Sequence, residues 1–235
     1  MVTATESVHI GAELPERIST LLLDLDGTLV DTTYFHTVAW FLACDELGEH
    51  RPMAAIHPLI GMGGPELMHE LLGRSSESLS AAHDRIFSEY LASVRPLPGA
   101  PELVAFGATR GLHVCVVTSS GDDVVDSLMA PLGGVGAVDD VVHAGMAERT
   151  KPHPDLFQVA LERVRVPPSE ALAVGDAVWD VRSAASAGVA CVGLESGGTA
   201  RAALIHAGAV DVYRDARQML HEWRGNPGEA PGTGE

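Results

Sequence analysis

The stretch LLLDLDGTLVDT, residues 21–32, decides how the rest of the chain is read. A run of leucines stops at two acids, Asp24 and Asp26, followed by Gly27 and Thr28. Such a run reads as a buried strand, over about 20–25, halted abruptly by polar groups. In an open parallel sheet, chemistry gathers just beyond the carboxyl ends of the strands. Gly27 lets the chain turn there. Two carboxylates this close repel unless a cation or a proton intervenes. The stretch therefore predicts a metal-assisted reaction, with one aspartate as nucleophile and the other as acid/base.

The flanking chain alternates in rhythm. From Asp31 to Val94 the apolar spacing is helical and no strand-like alternation appears. In the first helix, Tyr34, Val38, Phe41, Leu42 and Leu47 fall at that spacing, with Asp31 or Thr32 as cap and Gly48 as stop. Short pieces broken by Pro58, Gly61, Gly63 and Gly64 follow, then a third helical region carrying Leu79, Ile86, Tyr90, Leu91 and Val94. Arg95–Leu103 is hinge-like, with three prolines and a glycine. Strands and helices then alternate to the closing helix ARQMLHEW. This pattern predicts an α/β fold, a doubly wound parallel sheet with helices on both faces and an inserted α-helical cap. The expected boundaries are a flexible lead at 1–16, a core from 17–31 and 98–224, a cap at 32–97, and a disordered tail at 225–235.

Composition narrows the function. The 235 residues carry a formal net charge of −17. Clustered basic residues are what nucleic acids and anionic membranes require, so neither is an expected partner. A phosphorylated substrate remains compatible, because a metal and one lysine reverse the sign locally. The three cysteines, Cys44, Cys115 and Cys191, lie scattered in apolar runs and form no disulfide or metal spacing. They are expected in the core of a protein in a reducing cytoplasm. No basic-then-apolar opening marks a signal peptide.

Four segments place polar groups at predicted strand ends: Asp24 with Asp26, Thr118 with Ser119 and Ser120, Lys151 between Thr150 and Pro152, and Asp176 with Asp180. Taken singly, each reads as a solvated acid, a turn or a helix cap. Taken in order, DLDGTLVD, VVTSS, TKPHPDLF and VGDAVWD resemble the four motifs of the haloacid dehalogenase superfamily of phosphohydrolases. The resemblance implies a Rossmann-like core and a Mg2+-dependent phosphatase acting through an aspartyl-phosphate. It gives Asp24 as nucleophile and Asp26 as general acid/base. It gives Asp24, the Asp26 carbonyl, Asp176 and, directly or through water, Asp180 as the metal set. Lys151 would neutralise phosphate and hold Asp24. Thr118 would donate to a phosphate oxygen, helped by amides near Gly27 and Ser119. His36 is a candidate for the entrance to the site, and equally for a structural histidine.

Within the superfamily, relatives that dehalogenate or cleave phosphonates lack an acid at the position of Asp26. The phosphonate-cleaving group also uses an insertion lysine, and Thr32–Val94 contains none. Sugar-phosphate mutases share the His and Trp of HTVAW, but carry basic residues where IGMGGPEL stands here without any. A phosphatase of small phosphate esters is therefore preferred, with a β-phosphoglucomutase-like mutase second and a non-catalytic binding protein third. The insertion is expected to act as a lid. Its apolar Ile60, Met62, Leu67 and Met68 hint at few charges on the leaving group. A monomer or homodimer is expected.

Overall fold

The structure is a computed structural model that describes residues 14 and 16–224. The expected tail at 225–235, and most of the expected lead at 1–16, lie outside the described residues. Six strands form one parallel sheet: β1 (Thr20–Leu23), β2 (His113–Val117), β3 (Asp140–Val142), β4 (Ala171–Gly175), β5 (Ala190–Leu194) and β6 (Asp211–Tyr213). Their order is β3-β2-β1-β4-β5-β6. The chain builds outward from β1 on one side and then crosses to β4 on the other. The crevice at this switch is where α/β sheets of this topology bind ligands.

The leucines explain why β1 is central. Leu21, Leu22 and Leu23 are all fully buried. Leu21 and Leu23 enter one apolar cluster and Leu22 enters a second on the opposite face. This is the period-two alternation of a strand covered on both sides. The ladder pairs Leu23 with Val116 of β2 and Val174 of β4. The strand ends at Leu23 rather than Leu25, although Leu25 is equally buried. Beyond Leu23 the chain turns into the loop that carries the acids.

The segment between β1 and β2 is helical throughout: α1 (Thr33–Glu46), α2 (Met53–Ile56), α3 (Gly64–Leu72) and α4 (Glu77–Ser88), followed by α5 (Ala100–Thr109) leading into β2. It leaves and re-enters at one place. Val30 pairs antiparallel with Pro96, Asp31 N–H donates to Arg95 C=O and Leu97 N–H donates to Leu29 C=O. The first cluster runs from the sheet into these helices through Trp40, Ile56, Leu67 and Phe87.

Two expectations about α1 need correction. Tyr34, Leu42 and Leu47 are exposed, whereas Thr33, His36, Thr37, Trp40 and Cys44 form the buried face. Hydrophobicity misplaces this face because its inner stripe carries polar groups that serve the acid loop. Of the two expected caps, Thr32 stands at the N-cap position, but it makes no side-chain cap bond and spends its hydroxyl on Asp26. The helix α6 (Asp122–Met129) likewise starts at Gly121, and Ser119 and Ser120 bond elsewhere.

The remaining helices α7 (Asp155–Val164), α8 (Val178–Ser186), α9 (Arg201–Ala207) and α10 (Ala216–Trp223) follow the predicted alternation. Cys44, Cys115 and Cys191 are buried and unpaired, as expected. No helix among the described residues is long and apolar enough to cross a membrane.

Candidate active site

Asp24 follows β1 and Asp176 follows β4, and these strands are neighbours. Asp24 N–H donates to Val174 C=O at 2.9 Å, which carries the ladder one residue past the strand. Gly27 turns the loop with φ of +83°, in the left-handed region that favours glycine. A Cβ on Gly27 or Gly197 would fall 2.5 or 1.7 Å from Asp176 Oδ2. The acid thus sits in a cradle only glycines leave open. Thr28 donates to the other oxygen, Asp176 Oδ1, at 2.9 Å, and Ser196 Oγ donates to Gly27 C=O at 2.6 Å.

Lys151 is the only lysine in the sequence and is fully buried. Its Nζ donates to Asp24 Oδ1 at 2.5 Å and to Val117 C=O at 2.7 Å, and lies 2.7 Å from Asp180 Oδ1. Burial opposes its charge, but Asp180 and Asp24 together hold its pKa above the usual lysine range. Asp180 Oδ2 accepts from Ala177 N–H at 3.0 Å, and its buried Oδ1 pairs with the lysine charge without a hydrogen-bond partner.

The two loop acids stand in opposite environments. Burial, with the charges of Asp180 and Asp26 and against the pull of Lys151, pushes Asp24 up to about 7. Burial also drives Asp176 well above the usual carboxylate range, with Asp24 and Asp180 adding to it. Asp26 is buried too. Yet it accepts from Thr32 Oγ1 at 2.7 Å and Ser120 Oγ at 2.7 Å, and lies 3.2 Å from His36 Nε2. These partners, His36 foremost, outweigh burial and hold it down at about 2.

Thr118, which the motif assigns to phosphate, is fully buried. Its hydroxyl lies 3.4 Å from Asp26 Oδ2 and accepts from Ser120 N–H at 3.0 Å. Ser119 Oγ donates to Gly61 C=O at 3.2 Å. The helical insertion makes three further polar contacts with the core. Trp179 Nε1 donates to Pro58 C=O at 2.9 Å. The Glu66 carboxylate accepts from Thr150 N–H at 2.9 Å and from its hydroxyl at 2.7 Å. His57 Nε2 lies 3.1 Å from Gly197 O.

Asp24, Asp26, His36, Ser119 and Ser120 line a cavity of about 240 Å3 between the acid loop and the insertion. Asp24, Asp26, Gly27, Lys151, Asp176 and Asp180, together with Thr118, Ser119 and His36, are thereby gathered at one sheet edge. The sequence reading missed Thr28, Thr32 and Ser120 as partners of the acids. It also missed His83, which sits 3.2 Å from His36 Nδ1 and 2.8 Å from Asp84 Oδ1. The i, i+3, i+4 spacing of Ser80, His83 and Asp84 on one helix was the available signal.

The carboxylates of Asp24, Asp176 and Asp180 each offer an oxygen within 4.8 Å of the others. An all-oxygen, anionic and buried set fits a hard divalent cation. The Thr33 hydroxyl, buried without a hydrogen-bond partner, flanks the same cradle. The Asp26 side chain is turned to its own donors and is not in this group.

Comparison with known proteins agrees with this geometry. The family model for haloacid dehalogenase-like hydrolases matches residues 18–188. The phosphoglycolate phosphatase of Rhodospirillum rubrum is 31% identical over 224 residues, covering 88% of this chain and 91% of that protein. A fructose-1-phosphate phosphatase of Escherichia coli is 28% identical, covering 75% and 96%. The crystal structure of a hydrolase from Pseudomonas syringae matches with a TM-score of 0.83 and 32% identity, covering 88% of this chain and 98% of that one. By matched length, relatives and architecture, the chain belongs to the haloacid dehalogenase-like hydrolase family.

Proposed function

We propose that the protein is a Mg2+-dependent phosphatase that hydrolyses a small-molecule phosphate monoester through an aspartyl-phosphate on Asp24. The observation that carries this reading is the pairing of a lysine-held Asp24 with a separately anchored Asp26 two residues on. Phosphatase-named relatives that span most of this chain support it.

Asp24 attacks phosphorus with the oxygen not held by Lys151, and the P–O bond to the leaving group breaks. Asp26 gives its proton to the departing oxygen. It then takes a proton from water, which attacks the same phosphorus. The Asp24–phosphate bond breaks, releasing inorganic phosphate and restoring Asp24. The first step needs Asp26 protonated, and an adjacent phosphate dianion raises its pKa in that sense. Lys151 fixes Asp24 and offsets charge on the phosphoryl group. Asp24 and Asp176, with Asp180 behind them, would hold Mg2+, which supplies charge neutralisation to acid and phosphate. The helical insertion acts as the lid, covering the cavity and excluding bulk water.

A mutase must retain a second phosphate during turnover. No lysine or arginine is among the described residues that line the cavity. That favours hydrolysis.

The test is release of inorganic phosphate from p-nitrophenyl phosphate, with and without Mg2+. Turnover should require the metal, and Asp24→Asn should lower it at least a thousandfold. Substantial turnover by the variant would remove Asp24 from its role. Interconversion of β-glucose 1-phosphate without release of phosphate would establish the mutase instead.

A further inference from the structure

One helix presents a continuous face to the cavity. Ser80, His83, Asp84 and Phe87 lie at i, i+3, i+4 and i+7 along α4 and all line the cavity. This is one face of the helix. Trp40 of α1 stands beside them, with its ring centroid 4.2 Å from that of His83. Asp123, in the first turn of α6, also lines the cavity.

The charges of this wall run one way. Asp84 and Asp123 are exposed carboxylates. The sole lysine is spent behind Asp24 and Asp180. Among the described residues no arginine lines the cavity. His83 is buried, which pushes its pKa down. A second anionic group on the substrate would meet two carboxylates and no lysine or arginine, in a chain whose formal net charge is −17. Hydroxyl groups meet what they need: each carboxylate oxygen accepts, and Ser80 both donates and accepts. The apolar parts of Trp40 and Phe87 suit the C–H surface of a small ring or chain.

We infer that the leaving group is a compact, hydroxyl-rich alcohol with no second anion, read by Ser80, Asp84 and Asp123, and that a protonated amine is accepted on it where a carboxylate is refused. This rests on the phosphatase reading for the position of the phosphate, and it adds what lies beyond the scissile bond.

The test separates binding from turnover. Calorimetry on the full chain carrying Asp24→Asn, with Mg2+ present, measures affinity for fructose 1-phosphate, glucosamine 6-phosphate and 2-phosphoglycolate. The first two should bind at least tenfold more tightly than the third. Equal or tighter binding of 2-phosphoglycolate would overturn the inference. In the same background, Asp123→Lys, at an exposed position where folding is not at risk, should narrow the gap at least threefold. An unchanged gap would remove Asp123 from the recognition. Turnover of p-nitrophenyl phosphate by the unaltered chain reports on the phosphatase reading alone. Failure there with the binding order intact would refute that reading, and with it the term leaving group, while the recognition of the hydroxyl-rich part of the bound ester would stand.

Discussion

Asp24 and Asp26 are two residues apart and both buried, yet their neighbours drive them in opposite directions. Asp24 faces other carboxylates and one lysine, whereas Asp26 faces hydroxyls and an imidazole. Environment rather than residue type therefore separates two chemical roles. A pH effect follows. With its pKa raised from 3.8 to about 7, Asp24 binds a proton more tightly folded than unfolded. Stability of the metal-free protein then falls as pH rises from about 4 to about 7. Asp176 shifts in the same sense, whereas His83, depressed by burial, acts the opposite way below its unfolded value of 6.5 and reduces the fall. Asp26, depressed to about 2, contributes stability that is lost only below its unfolded value of 3.8, outside that window. Thermal unfolding without metal should give a higher Tm at pH 5.5 than at pH 7.5. Added Mg2+ should erase the difference at pH 7.5, and Asp24→Asn should flatten it. A Tm that rises between these pH values would contradict the assignment. Ser120→Ala, which removes one donor from Asp26, should cost about 1.4 kcal/mol of transition-state stabilisation, read as about a tenfold lower kcat.

At the scale of elements, the insertion touches the core through short, specific contacts. Gly63 shows why that segment is glycine-rich. A Cβ there would fall 1.9 Å from Thr150 Oγ1, beside Lys151, so only glycine permits the approach. Next to it, α3 presents Glu66 to the same threonine. Glu66→Ala should break both hydrogen bonds and loosen the insertion by about 1–3 kcal/mol. Hydrogen exchange at α3 should quicken, with little change at β1 and β4. Uniform protection across both would show that Glu66 does not hold the insertion. The alternation of strands and helices was legible because fully buried parallel strands leave unbroken runs such as LLL and VCVV. Asp24, Thr118 and Asp176 were legible because each stands where such a run stops, whereas Lys151, nine residues beyond β3, and Asp180, inside α8, were legible only through the resemblance. The inward face of α1 was not. Its buried stripe of Thr33, His36, Thr37 and Trp40 is polar at three of four positions, so a search for an apolar stripe selects the outer side. The partners of Asp26 were equally hidden: Thr32 and Ser120 looked like helix caps until the fold aimed them at a carboxylate.

Across the whole molecule, the sheet order β3-β2-β1-β4-β5-β6 delivers residues from four separated segments to one crevice. The antiparallel crossing of Val30 and Pro96 makes the insertion a single excursion from that sheet. The buried cation has a consequence of another kind. Because Lys151 is the only lysine and is fully buried, the folded chain offers solvent no side-chain amine. An acylating reagent thus finds one internal target, and it finds it only when the crevice opens. Apart from the α-amine, native protein should be modified at Lys151 at least a hundredfold more slowly than protein in urea, as read by mass spectrometry of the intact chain. Equal rates would show that the site is open to solvent. The residual native rate tracks the open population. The chain thus carries its own single-site footprinting probe, installed at the proposed phosphoryl-transfer centre without any engineered label.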